Sequence, residues 1–219
     1  MNTDFAILFD MNGVVIDDMK YHLEAWQEFV AKRGKTISPE EFDKMLAGRT
    51  NLETIKYLVK EDVTPEEAYV LSEEKEELYR KIYAPHMTLL PGLANFINEL
   101  REHNIPIAVA TAAPKENVDL VMDGLNIRHL FNAIVDATQV EHGKPAPDIF
   151  LKAAQELNVD PKKCFVFEDS FLGLEAAHRA NMKAIGVTTA HIGKELPYTI
   201  LAIPDFIGMT YQRMVELNS

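Results

Sequence analysis

Asp10 closes the apolar run Phe5-Ala6-Ile7-Leu8-Phe9 and is followed by Met11-Asn12-Gly13-Val14. An acid at the end of an apolar strand is rarely needed for folding. It reads either as a turn aspartate, with Gly13 supplying positive φ, or as a carboxylate nucleophile exposed where the backbone opens. Thr111 ends a second apolar run, Ile105 to Ala110. Its hydroxyl can donate into the same crevice or cap the helix after Pro114. Lys144 lies in the stiff turn Gly143-Lys144-Pro145-Ala146-Pro147, which restricts its ammonium; the plainer reading is a solvated surface lysine. Glu168 and Asp169 follow the run Cys164-Phe165-Val166-Phe167, with Ser170 and Gly173 beyond them. Adjacent carboxylates at a strand end are costly unless donors or a cation compensate them. Mg²⁺, held by a few carboxylates plus water and substrate oxygens, answers that cost; the alternative is an Asp or Ser N-cap for the next helix. A carboxylate, a hydroxyl, an ammonium and an acid pair at successive strand ends suit phosphoryl transfer.

These residues must be held by a recurring unit: a short apolar run, then small or polar residues, then a helical pattern. Five runs repeat it: Phe5–Phe9, Ile105–Ala110, Ala133–Val135, Cys164–Phe167 and Ala184–Val187. They are continuously apolar rather than alternating, as strands covered on both faces are. The expected fold is therefore α/β, a doubly wound parallel sheet. Residues 16–87 break the rhythm. Ser38-Pro39-Glu40-Glu41 and Thr64-Pro65-Glu66-Glu67 both read as an N-cap, a first-turn proline and a capping-box glutamate. The expected organisation is an α/β core of residues 1–15 and 88–219, with a small all-helical domain of residues 16–87 inserted after the first strand. Such an insertion leaves the sheet at its carboxyl edge, where open α/β sheets bind ligands, and is placed to act as a cap.

Composition narrows the function classes. With 47% hydrophobic residues over 219 positions the chain is too apolar for disorder and long enough for a sizeable core. Thirty-four acidic residues against 22 basic ones give a net charge of -12, which argues against nucleic-acid or membrane-surface partners. A small anionic substrate remains compatible, because local cations or a metal can reverse the field in one cleft. The single cysteine, Cys164, excludes an internal disulfide and reads as a small buried hydrophobe. With no signal peptide or membrane span in the pattern, a cytoplasmic protein is expected.

Asp10-Met11-Asn12-Gly13-Val14, Val109-Ala110-Thr111, Gly143-Lys144-Pro145 and Glu168-Asp169-Ser170 resemble, in order, the four motifs of the haloacid dehalogenase superfamily. Tyr21-His22 with Ala25-Trp26, Lys144 to Phe150, and Glu168-Asp169-Ser170 with Gly173 are most similar to its β-phosphoglucomutase-like branch. The resemblance implies a Rossmann-like core with a helical cap and an aspartyl-phosphate formed on Asp10. It implies Mg²⁺ on the Asp10 carboxylate, the backbone carbonyl of Asn12 and Asp169, with Glu168 supporting through water. Thr111 and Lys144 would hold the phosphoryl group. His22 matches a hinge-region histidine, and Lys75 a cap lysine. Ala112, beside Thr111, joins the expected substrate-binding positions with His22, Arg49, Asn51 and Lys75.

Two departures matter. The family carries a second aspartate two residues after the nucleophile, as acid to the leaving group and base to water; here it is Asn12. An amide moves no proton at neutral pH, so help of about 10²–10⁴-fold is missing. A naturally slow enzyme, one specialised for good leaving groups, and an engineered replacement all fit, and the intact remaining motifs favour the engineered one. In the cap, Ala47 and Asn51 stand where related mutases carry Lys and Arg, with Arg49 a neighbouring substitute. A reduced cationic set favours release of phosphate to water. The expectation is a Mg²⁺-dependent phosphohydrolase, monomeric, acting on a small phosphorylated metabolite such as a sugar phosphate. The alternatives are a phosphosugar mutase and a binding module without turnover.

Overall fold

The computed structural model describes residues 5–46, 51–59, 63–190, 193 and 195–219, with backbone alone for 43–46 and 51–53. The chain forms two compact units, one from the stretch up to Asp17 with Met87–Ser219, the other Asp18–His86. The first unit opens with strand β1 (Ala6–Phe9), and the chain then enters the second.

The second unit is helical. It comprises α1 (Met19–Ala31), α2 (Pro39–Leu46), α3 (Asn51–Val59) and α4 (Pro65–Tyr83). The capping chemistry sets two of these starts. Thr64 and Glu67 exchange reciprocal hydrogen bonds of 3.2 and 2.8 Å, and Ser38 and Glu41 do the same at 3.1 Å each. Trp26, Phe29, Tyr79 and Tyr83 are buried between α1 and α4. Arg33, in the turn after α1, pairs with Glu74 of α4 at 2.6 Å.

The first unit continues with α5 (Leu93–Glu102), β2 (Ile107–Ala110), α6 (Lys115–Gly124), β3 (Ala133–Val135), α7 (Asp148–Glu156), β4 (Cys164–Glu168), α8 (Phe171–Arg179), β5 (Lys183–Val187), β6 (Thr199–Ile203) and α9 (Tyr211–Asn218). Its strands form one parallel sheet in the order β3-β2-β1-β4-β5-β6. The five apolar runs read from the sequence are β1 to β5. The sixth strand was not anticipated; it pairs with β5 through a register irregularity at Ala184/Ile185.

Alternate residues of each central strand feed two cores. Ala6, Leu8, Ala108, Ala110 and Val166 pack with Ile149, Phe150, Leu174 and Ala177 of α7 and α8. On the other face Phe9 stacks on Phe167 with centroids 5.3 Å apart, and both rings meet Phe96 of α5 and Phe206. Each fully buried ring contributes about 2–3 kcal/mol of hydrophobic stabilisation. Burial on both faces is why the runs lack alternation. The strand order reverses about β1, whose neighbours are β2 and β4, so the crevice beyond its carboxyl end is the sheet's switch point. Among the described residues no helix is long and apolar enough to cross a membrane.

Candidate active site

Asp10 is the first residue past β1, and its N–H still bonds Phe167 O at 3.0 Å. The backbone then turns tightly: Val14, Val15 and Ile16 all donate to the Met11 carbonyl. Gly13 makes that turn at φ +73°. A Cβ there would lie 2.0 Å from Asp169 Oδ2, so only glycine lets this loop press against the end of β4.

Lys144 enters from the loop between β3 and α7. Its ammonium lies 2.9 Å from Asp10 Oδ1 and 2.7 Å from Glu168 Oε2. The surface-lysine reading of Lys144 is therefore wrong: its side chain is 8% exposed. The other Glu168 oxygen, Oε1, accepts from Ser170 N at 3.0 Å and Ser170 Oγ at 2.7 Å. Ser170 also caps α8, accepting from Gly173 N. Gly173 must be small, since a Cβ would lie 2.0 Å from the Glu168 carboxyl carbon. Both oxygens of Glu168 are thus fixed by protein donors.

Asp10, Glu168 and Asp169 are all buried, and one oxygen from each falls within 4.8 Å of the others. Burial, with the Glu168 carboxylate beside it, pushes the Asp10 carboxyl up to about 7, against the pull of Lys144. Burial acts to lower the Lys144 ammonium, but Asp10 and Glu168 outweigh it and hold it above the ordinary lysine value. Two of the three buried carboxylates, those of Asp10 and Glu168, therefore share one ammonium, with Asp169 beside them. A hard divalent cation with oxygen donors fits that set, because it supplies the missing positive charge to the kind of ligand it prefers.

Thr111 is the first residue past β2, the neighbour of β1, and is 1% exposed. Its N–H bonds Val135 O, and its Oγ1 accepts from Ala113 N at 3.1 Å. It does not cap α6: the residue in the cap position is Pro114. Ala112 follows, with its surface exposed. Asn12 is half-buried in the turn after Asp10.

His22 and Lys75 lie in the helical unit, where Lys75 Nζ is 2.8 Å from His22 Nδ1. Lys75 also donates to Glu76 Oε1 at 2.8 Å. Burial depresses the Lys75 ammonium, opposed by Glu76. The His22 ring stacks on Tyr79 at 3.8 Å, and the Tyr79 hydroxyl donates to Asp18. Sequence reasoning missed Tyr79 and Asp18; the spacing of four between Lys75 and Tyr79, one helical turn, was the available signal. Asn51 opens α3 with only its backbone described, and Arg49 and Ala47 lie outside the described residues. Thr189 was also missed. It follows β5, and its Oγ1 donates to Gly13 O at 2.6 Å.

The family profile of haloacid dehalogenase-like hydrolases matches residues 6–181. The chain is 31% identical over 184 residues to the fructose-1-phosphate phosphatase YqaB of Escherichia coli (strain K12), covering 83% of this chain and 95% of that protein. It is 33% identical over 190 residues to the β-phosphoglucomutase of Bacillus subtilis (strain 168), covering 83% and 82%. The solved structure of a family IA, variant 3 hydrolase from Entamoeba histolytica superposes with a TM-score of 0.91 at 35% identity, covering 98% of this chain and 99% of that one. Against one longer relative, 29% identical, the chain spans half the length. This chain belongs to the haloacid dehalogenase-like hydrolases and is an enzyme of that family.

Proposed function

We propose that the chain is a Mg²⁺-dependent phosphohydrolase acting on a small phosphorylated metabolite, a sugar phosphate in particular. One observation carries the reading: Asp10, Lys144, Glu168 and Asp169 converge, buried, at the carboxyl edge of the sheet's switch point. An Asp10 oxygen attacks phosphorus, the bond to the leaving alcohol breaks, and water then releases phosphate from the aspartyl-phosphate. Lys144 neutralises the nucleophile's surroundings and the incoming phosphoryl oxygens, and Thr111 offers a hydroxyl from the neighbouring strand. Asp10, the Asn12 carbonyl and Asp169 would hold Mg²⁺, with Glu168 behind them; the ion supplies charge stabilisation to the phosphoryl oxygens. Glu168, clamped by Ser170, keeps Lys144 in place. The substrate-binding roles of Ala112, His22, Arg49, Asn51 and Lys75 belong to the same proposal. So do a monomeric state and a cytoplasmic location, which the lone cysteine suits.

The likeness to a β-phosphoglucomutase favours a second reading, a phosphosugar mutase. It differs in requiring a bisphosphate activator and returning an isomerised sugar phosphate.

Phosphate release across a panel of sugar phosphates, with Mg²⁺ or with chelator, tests the proposal. Asn12 supplies no proton to the leaving group, so Asn12→Asp is expected to raise turnover by about 10²–10⁴-fold. Absence of phosphate release from both forms would refute hydrolysis. Isomerisation that depends on a bisphosphate would select the mutase.

A further inference from the structure

Thr189 stands outside the four motifs, yet its side chain reaches the loop that carries the nucleophile. It follows β5, two strands away from β1 in the sheet. The preceding residue is tied to the far side, where Thr188 N bonds Ile203 O of β6 at 2.9 Å. From that anchor Thr189 Oγ1 donates 2.6 Å to Gly13 O. Gly13 is buried, at φ +73°, and its α-carbon is wedged between two groups. A Cβ built on it would meet Asp169 Oδ2 at 2.0 Å and Thr189 Oγ1 at 3.1 Å. Gly13 is therefore packed between Thr189 on one side and the Asp169 carboxylate on the other. The Gly13 α-carbon joins the peptide whose carbonyl Thr189 holds to the peptide that carries the Asn12 carbonyl, so a shift of Gly13 turns that second carbonyl and changes the space left for Asp169.

We propose that Thr189 is a positioning residue for the cation site: by holding the Gly13 carbonyl it sets the direction of the Asn12 carbonyl and the seat of the Asp169 carboxylate. This rests on the reading of Asp10, the Asn12 carbonyl and Asp169 as cation donors. Hydrogen bonds behind the ligands typically carry about 10–100-fold in metal affinity. A hydroxyl that only tidied a turn would change stability by about 1 kcal/mol and leave metal affinity alone.

The test is Mn²⁺ binding by the full chain, followed by the electron paramagnetic resonance signal of the free ion, for the native protein, Thr189→Val, Thr189→Ser and Asp169→Asn. Thermal unfolding without metal is measured alongside. Thr189→Val keeps the shape and loses the donor; it is expected to weaken Mn²⁺ binding by roughly tenfold or more. Thr189→Ser keeps the donor and is expected to restore most of that affinity. Should Thr189→Val fail to fold, Thr189→Ala answers the same question without a branched side chain. Native-like affinity in the folded Val or Ala variant, whatever happens to its unfolding temperature, overturns the role of Thr189 alone. If the native chain shows no saturable Mn²⁺ binding, or Asp169→Asn binds as tightly as native, the cation reading itself fails.

Discussion

Lys144 Nζ lies 2.9 Å from Asp10 Oδ1 although 134 positions separate the two residues in the chain. The same ammonium spans to Glu168 at 2.7 Å, and all three side chains are less than a tenth exposed. One buried cation thus serves two buried anions, with Asp169 beside them. Removing it, as in Lys144→Met, leaves the buried Asp10 and Glu168 carboxylates without their cation. The metal-free variant is expected to lose about 3–5 kcal/mol of stability by denaturant unfolding. Mg²⁺ should raise the unfolding temperature of this variant more than that of the native protein. An unfolding curve unchanged by Lys144→Met would show that the ammonium is not needed to hold the carboxylates together.

Gly13 tests the fit between the nucleophile loop and β4. Gly13→Ala puts a methyl group where Asp169 Oδ2 now lies and strains a residue at φ +73°. Overpacking and the left-handed backbone together are expected to cost about 2–4 kcal/mol. Phosphate release should drop with the displacement of Asp169. The check is activity at saturating Mg²⁺ beside a denaturation curve; native turnover in a folded Ala variant would contradict the close approach.

The positions at strand ends were legible in the sequence because each is defined by the apolar run before it. Asp10, Thr111 and Glu168 fall on one edge because the runs before them are parallel strands. Lys144 was harder, since it sits in a loop, and its ion pairs come from folding that loop over the sheet. The strand Thr199–Ile203 escaped notice because its place depends on pairing with β5, with a shift in register that no local pattern encodes. Thr189 escaped because nothing in Val187-Thr188-Thr189-Ala190 says which threonine turns inward. The partners of His22 and Lys75 were hidden for a similar reason: Asp18 and Tyr79 meet across α1 and α4, 61 positions apart.

Cys164 gives a prediction about pH. Burial, with Asp160 nearby, pushes its thiol up to about 12 from an ordinary value of 9.0. Between those values the unfolded chain sheds a proton that the native state keeps. Stability from this group is therefore full below about pH 9 and falls as pH climbs toward 12. The denaturation midpoint should decline less steeply above about pH 9 in Cys164→Ala than in the native chain. The native thiol should also resist alkylation near neutral pH and react only on unfolding. Rapid labelling of the folded protein would contradict its burial.

In the proposed reaction Asp10 is the group that takes the phosphoryl. Incubation with Mg²⁺ and a small acyl phosphate, quenched in acid and read by peptide mass spectrometry, addresses it directly. The expected result is a phosphoryl adduct on Asp10, removed by hydroxylamine and missing from Asp10→Asn. An adduct on another residue, or phosphate release that persists undiminished in Asp10→Asn, would contradict the account.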